Sequence, residues 1–251
     1  MAPARRILTA AVALATTALL AVVVTAPPAS ARATSLAGLW TFDEGSGQVA
    51  NDWSLNGNRA QLGSTPDVDA ADPSWVQLPR LLFLKQAGLR FSGAQRVTVP
   101  NAPSLEPAGV TLAVRVRGTA GGGYRYIASK GSLACDTASY GLYTGADGGA
   151  RFYVSDGTTY TLSNDVGAQV WDGAWHTIVG AYDGQSVRLW VDGRQVGAPV
   201  PSSISIRYGL PDGQDLLLGD YAGSCGNPLG FVGDIDAAAV LGRYQSNPNV
   251  L

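Results

Sequence analysis

Histidine occurs once in this chain, at His176, and glutamate only twice, at Glu44 and Glu106. A serine-type triad needs an imidazole base beside its nucleophile. The one imidazole lies in a strand-like run beside Trp175 and reads as structural, and no Gly-x-Ser-x-Gly elbow accompanies it. Histidine-rich metal chemistry falls for the same reason. Lysine is confined to Lys85 and Lys130, no stretch clusters lysine with arginine, and the formal net charge is −2. A face that neutralises phosphates is therefore missing, which argues against a nucleic-acid partner. No βαβ rhythm and no fixed-period repeat occurs. After the first thirty or so residues no apolar run is long enough to cross a bilayer.

Those first residues have a character of their own. Arg5 and Arg6 precede an apolar stretch from Ile7 to Ala26, then Pro27-Pro28 and the small-residue sequence Ala29-Ser30-Ala31. This is the layout of a secretory signal, residues 1–31, and the double proline with the Ala-Ser-Ala end favours cleavage over retention as an anchor. Cleavage leaves 220 of the 251 residues, shifts the net charge from −2 to −4, and predicts a secreted, extracellular domain with no membrane insertion. A chain of this size fits one domain, because β-sandwiches often exceed 200 residues. The two cysteines, Cys135 and Cys225, are predicted to form a disulfide in that oxidising setting, since two thiolates without nearby histidines are too few for zinc.

What the chain has in quantity is punctuation: 32 glycines and 14 prolines leave no room for long helices. Short runs rich in Val, Leu, Tyr and Trp lie between them. Strands are predicted at Leu36 to Phe42, Arg96 to Val99, Val110 to Arg117, Tyr140 to Thr144, Ala150 to Val154, Leu216 to Leu218 and Phe231 to Leu241. The clearest stretch is Trp175 to Val196, three strands joined by Asp183-Gly184 and Asp192-Gly193, turns that suit positive φ. Trp175, Thr177, Val179 and Ala181 fall on one face there, Ile178 and Tyr182 on the other, as in a core strand with a partly covered back. Residues 63–86 read as an irregular loop carrying Asp67, Asp69 and Asp72, with Leu81 to Leu84 as a possible extra strand. Many short antiparallel strands in one domain predict an all-β fold, a two-sheet antiparallel jelly-roll sandwich.

An ordered set of motifs carries a family resemblance. Gly38-Leu39-Trp40-Thr41-Phe42-Asp43-Glu44-Gly45, Asp52-Trp53-Ser54-Leu55-Asn56-Gly57-Asn58, Leu89-Arg90-Phe91-Ser92-Gly93, Trp175-His176-Thr177, Leu189-Trp190-Val191-Asp192-Gly193 and Phe231-Val232-Gly233-Asp234-Ile235-Asp236 follow one another from Leu36 to Leu241. Together they resemble the laminin-G-like domains of the concanavalin A-type jelly-roll family. The resemblance implies two packed antiparallel sheets. It also suggests a structural calcium where the opening and closing strands meet, with Asp43 and Asp236 as ligands and Glu44 assisting. Ala237-Ala238-Ala239 stands where the family usually continues with an acidic residue.

Enzymes of this fold carry Glu-x-Asp-x-x-Glu on one strand; Gly233-Asp234-Ile235-Asp236-Ala237-Ala238 contains no glutamate. The sequence therefore predicts a non-catalytic binding or adhesion module that recognises an extracellular ligand, carbohydrate ahead of a surface protein. The alternatives are a glycoside hydrolase using an aspartate pair and a purely structural surface protein. Trp40, Trp175 and Trp190 are assigned to the core. The predicted binding face is a rim stapled by Cys135–Cys225 and carrying Tyr124, Tyr126, Asp220, Tyr221 and Asn227, aromatic rings for stacking and polar groups for hydroxyls. The competing reading is that the disulfide only braces two long loops.

Overall fold

The computed structural model describes residues 36–81, 84–119, 122–134, 138–223, 229–246 and 250–251. The predicted signal, residues 1–31, lies outside them, as do Cys135, Cys225 and Asn227. The strands in chain order are β1 (Leu36–Trp40), β2 (Val49–Ala50), β3 (Ala60–Leu62), β4 (Ser74–Leu81), β5 (Leu84–Ser92), β6 (Val97–Val99), β7 (Val110–Arg117), β8 (Tyr126–Ser132), β9 (Tyr140–Tyr143), β10 (Arg151–Ser155), β11 (Tyr160–Leu162), β12 (Trp175–Tyr182), β13 (Ser186–Val191), β14 (Arg194–Gln195), β15 (Val200–Pro201), β16 (Gly213–Leu218) and β17 (Val232–Leu241).

They form two antiparallel sheets. The first runs β14-β13-β12-β7-β17-β5-β4, with β1 also on β17 and β15 also on β13; the second runs β11-β10-β9-β8-β16-β6-β3-β2. Alternation along each strand divides core from surface. On β7, Val110, Leu112, Val114 and Val116 join the core between the sheets, while Ala113 joins a separate apolar cluster. From the facing sheet Phe152, Val154, Tyr140, Leu142, Leu216 and Leu218 meet them. Each such side chain contributes about 1.5–3 kcal/mol by leaving water.

Several local rules act as expected. Asp192 (φ 49°) and Gly193 (φ 77°) both take the left-handed conformation of a type I′ hairpin turn. The motif Asp52 to Asn58 closes on itself: the Asp52 carboxylate accepts hydrogen bonds from the Leu39, Ser54 and Asn58 backbone amides and from the Ser54 hydroxyl. The Trp40 indole, fully buried, donates to the Asn58 carbonyl at 2.8 Å. This motif locks the opening strand in place.

Two readings change. On β12 the inward set is Ile178, Gly180 and Tyr182, with Phe152 against Gly180. Val179 and Ala181 face outward, into a second apolar cluster with Trp190, Ala239 and Leu241, against which Leu36, Tyr244 and Val250 pack. The loop expected over 63–86 is largely sheet: β4 pairs with β5 from Ser74↔Arg90 to Leu81↔Leu84. Leu81 and Leu84 end the two arms of one hairpin instead of forming a strand of their own.

Candidate functional site

The outer face of the second sheet carries a cluster of tyrosines. Tyr143 on β9 stands opposite Tyr126 on β8 and Arg151 on β10, and Tyr153 lies two residues further along β10. The rings of Tyr124 and Tyr143 stack at 6.2 Å and 10°, those of Tyr143 and Tyr126 at 5.7 Å and 25°. Tyr221 extends the column, its ring 4.7 Å from that of Tyr126. Tyr153 meets Tyr126 and Tyr143 edge-on. Gly141 makes room for this, because a Cβ there would crowd the Tyr153 ring.

Only one end of the column, Tyr124, reaches solvent. Tyr126 and Tyr221 are buried, contrary to the rim position expected from sequence, because the segment after β16 folds over the sheet: the Ser129 hydroxyl donates to the Asp220 carbonyl and the Tyr221 hydroxyl to the Ala134 carbonyl. Asp220 is also buried and ion-paired with Arg96 at 2.8 Å; burial pushes its carboxyl up, against the Tyr221 amide and Arg96. Tyr124 is exposed, as expected, and Tyr160 on β11 is exposed too. Tyr124 follows Gly123 (φ 86°) and itself sits at φ 54°, a left-handed conformation that costs a non-glycine residue about 1 kcal/mol or more. The chain spends that strain on presenting an aromatic ring.

Polar groups surround the rings. Arg151 donates to Asp165 at 3.0 Å and to Asp147 at 3.2 Å. Burial pushes the Tyr143 phenol up to about 12; Arg151 opposes this, while Tyr160, Tyr124 and Asp165 add to it. A stacked ring pair, a guanidinium and two carboxylates gather where Tyr143, carrying Tyr124 on its ring, stands opposite Arg151. Composition alone could not single out Tyr143 and Arg151, because only strand pairing places them side by side.

The segments that flank the two cysteines also meet. Tyr221 bonds to Ala134, one residue before Cys135, and the Gly223 backbone lies so close to the Ala134 carbonyl that a Cβ there would collide with it.

Of the two expected calcium ligands, one is otherwise employed. Asp236 is ion-paired with Arg115. Its carboxyl is pushed up by burial and by Asp43, with Arg115 pulling down. Asp43 is exposed, and no three His, Cys, Asp or Glu side chains gather to hold a metal among the described residues. Calcium asks for six to eight oxygens, so two carboxylates, one already bound to a guanidinium, do not fit it. Asp234, two residues before Asp236 on β17, is gripped by Arg90 and Arg117; burial raises its carboxyl, but these hydrogen bonds outweigh that and hold it low. Trp175, assigned to the core from sequence, is only half-buried here, its ring between the Arg117 and Arg115 guanidinium groups at 4.7 and 5.4 Å. His176 is tied to Asp192 and Asp172 at 2.7 and 3.1 Å; burial lowers its pKa, and these two bonds raise it further than burial lowers it.

The family model described as the concanavalin A-like lectin/glucanases superfamily matches residues 91–250. The chain belongs to this superfamily. No curated protein matches it significantly. Among solved structures it is similar to domain 4 of AbnA, an extracellular GH43 arabinanase from Geobacillus stearothermophilus determined with arabinotriose (TM-score 0.59, 15% identity, 82% of this chain and 91% of that one). It is also similar to Trypanosoma rangeli sialidase with sialic acid (TM-score 0.55, 15% identity, 84% of this chain) and to the binding domain of botulinum neurotoxin DC with rat synaptotagmin II (TM-score 0.51, 8% identity, 84%). The chain spans 31% of the sialidase and 49% of the toxin fragment. These likenesses show the sandwich fold alone. The superfamily match begins at β5, so β1 to β4 are built from sequence outside it.

Proposed function

We propose that the chain is an exported, non-catalytic carbohydrate-binding module whose ligand lies on a tyrosine platform, the exposed Tyr124 ring backed by Tyr143 and flanked by Arg151. The observation that carries this is the exposed Tyr124 ring, held by a strained backbone and stacked on a buried column of tyrosines. Sugar rings stack on such faces, and fixed polar groups at the edge orient hydroxyls. The arabinanase domain seen with arabinotriose supports the ligand class. A non-catalytic role is supported by Asp234 and Asp236, which spend their charge on arginines.

Tyr124→Ala removes the platform's outer ring, and the glycan bound by the wild type in an array then binds about tenfold more weakly, or about 1.4 kcal/mol. Arg151→Ala weakens the same glycan. An array on which the wild type binds nothing, or affinity indifferent to both changes, removes the proposal. Export through residues 1–31 and a Cys135–Cys225 bond belong to the same reading. The secreted protein should begin at Arg32 by intact mass and react with no thiol reagent until reduced; a retained leader or two free thiols overturns this part.

A further inference from the structure

The loop from Gly63 to Pro73, with its three aspartates, plays no part in the tyrosine platform. It closes one wall of a separate cleft of about 340 Å³, lined by Gly47, Gln48, Leu62, Asp69, Asp72 and Trp75 among others. The volume lies at the lower end of the range of small-ligand sites, about 300–1,000 Å³. All of its lining precedes residue 91, where the superfamily match begins.

Its walls differ in chemistry. Trp75 supplies an aromatic wall, and its indole nitrogen donates to the Gly47 carbonyl at 2.9 Å, which fixes the ring across the opening. Leu62 and Pro73 extend the apolar side, and Val68, 83% exposed, stands at the mouth. The opposite side offers acceptors. Asp72 Oδ2 takes the Gln48 side-chain amide at 2.9 Å and the Asp69 backbone amide at 3.0 Å. Asp72 Oδ1 is buried against Gly63, away from the lining, and has no hydrogen-bond partner, so Oδ2 is the oxygen of Asp72 that serves the cleft. Asp69 accepts from the Ala71 amide and the Thr65 hydroxyl. The loop is further pinned by the Arg96 amide on the Ala71 carbonyl. This bracing sets the cleft before any ligand arrives, which lowers the ordering cost of binding.

Charge narrows the occupant. No lysine or arginine lines the cleft, and the basic side chain beside the loop, Arg96, sends its guanidinium to Asp220. An anionic sugar would face two carboxylates without a cation. A neutral one could lay a ring face on Trp75 and donate hydroxyls to Asp69, Asp72 and Gln48. We infer that this cleft is a second carbohydrate subsite, selective for an uncharged sugar residue. It shares the ligand class of the proposed function but does not depend on the tyrosine platform.

The test is NMR of the full secreted domain, following its tryptophan indole signals during titration with L-arabinose, D-galactose and N-acetylneuraminic acid. The Trp75 signal is identified by its loss in Trp75→Phe. A neutral sugar should move it at millimolar concentration, near 4 kcal/mol of binding, while N-acetylneuraminic acid leaves it in place. Asp69→Asn, which keeps an acceptor for the Ala71 amide, should weaken that response several-fold, with the other indole signals unchanged as evidence of folding. Tyr124→Ala should leave it intact, and this separates the two sites: loss of array binding with an intact Trp75 response faults neither, and an array unaffected by Tyr124→Ala faults only the platform. A Trp75 signal unmoved by every sugar, or moved equally by N-acetylneuraminic acid, overturns the subsite.

Discussion

Gly180→Ala will lower the melting temperature of the domain by about 2–12 °C. Gly180 lies mid-strand on β12, on the face turned to the second sheet, and a Cβ there would fall inside the Phe152 ring and its Cβ. Overpacking of a filled core costs about 1–3 kcal/mol and sometimes more, and a domain of this size loses about 2–4 °C per kcal/mol. Elsewhere in a strand alanine would be preferred to glycine by up to about 1 kcal/mol, so the sign of the change is diagnostic. Thermal melts of wild type and variant decide it, and an unchanged or raised midpoint would mean the sheets do not meet at this point. Phe152→Leu in the Gly180→Ala background should recover part of the loss by opening space.

Lys130→Ala is the second large effect, about 3–5 kcal/mol. Lys130 is fully buried on β8. Its ammonium donates to Asn101 Oδ1 at 2.7 Å and to the Gln214 carbonyl, with Glu106 at 3.5 Å and the Tyr208 ring 5.7 Å away. Alanine leaves a cavity and strips Glu106 of its cation. Lys130→Met, which keeps the volume, should lose roughly half as much. Burial depresses the Lys130 pKa below 10.5, against Glu106 and Asp215. The folded state then binds fewer protons than the unfolded one as pH approaches 10.5, and stability rises with pH in that window. Wild type should therefore gain on Lys130→Met as the pH climbs. Denaturant melts of the three proteins at neutral and alkaline pH check this; equal midpoints at neutral pH would mean that the buried network contributes nothing.

Neither Lys130 nor Gly180 stands out in the sequence. Lysine is rare here, and a lone lysine in an apolar run looks like an accident of composition until Asn101, Glu106 and Gln214 converge on it from other segments. Gly180 looks like any strand glycine until Phe152 of the facing sheet is in place. The tyrosines follow the same pattern. Tyr124 and Tyr126 both flank a glycine-rich run, yet one is exposed and the other buried, because the segment carrying Tyr221 crosses the sheet above Tyr126 alone. Tyr143 and Arg151 were invisible as partners because they sit on different strands.

Local chemistry by itself determined the class of fold: glycine and Asp-Gly turns, two-residue alternation and the ordered motifs from Leu36 to Leu241 demand short antiparallel strands in two layers. It also fixed how few candidate groups the chain offers, one histidine and two glutamates. Tertiary structure alone decided which aromatic rings meet solvent, which aspartates are consumed by arginines, and where a cleft opens beside Trp75. The reason is range. Turns and alternation depend on neighbours within a few residues, whereas exposure and pairing depend on which distant strands and loops come to lie against one another.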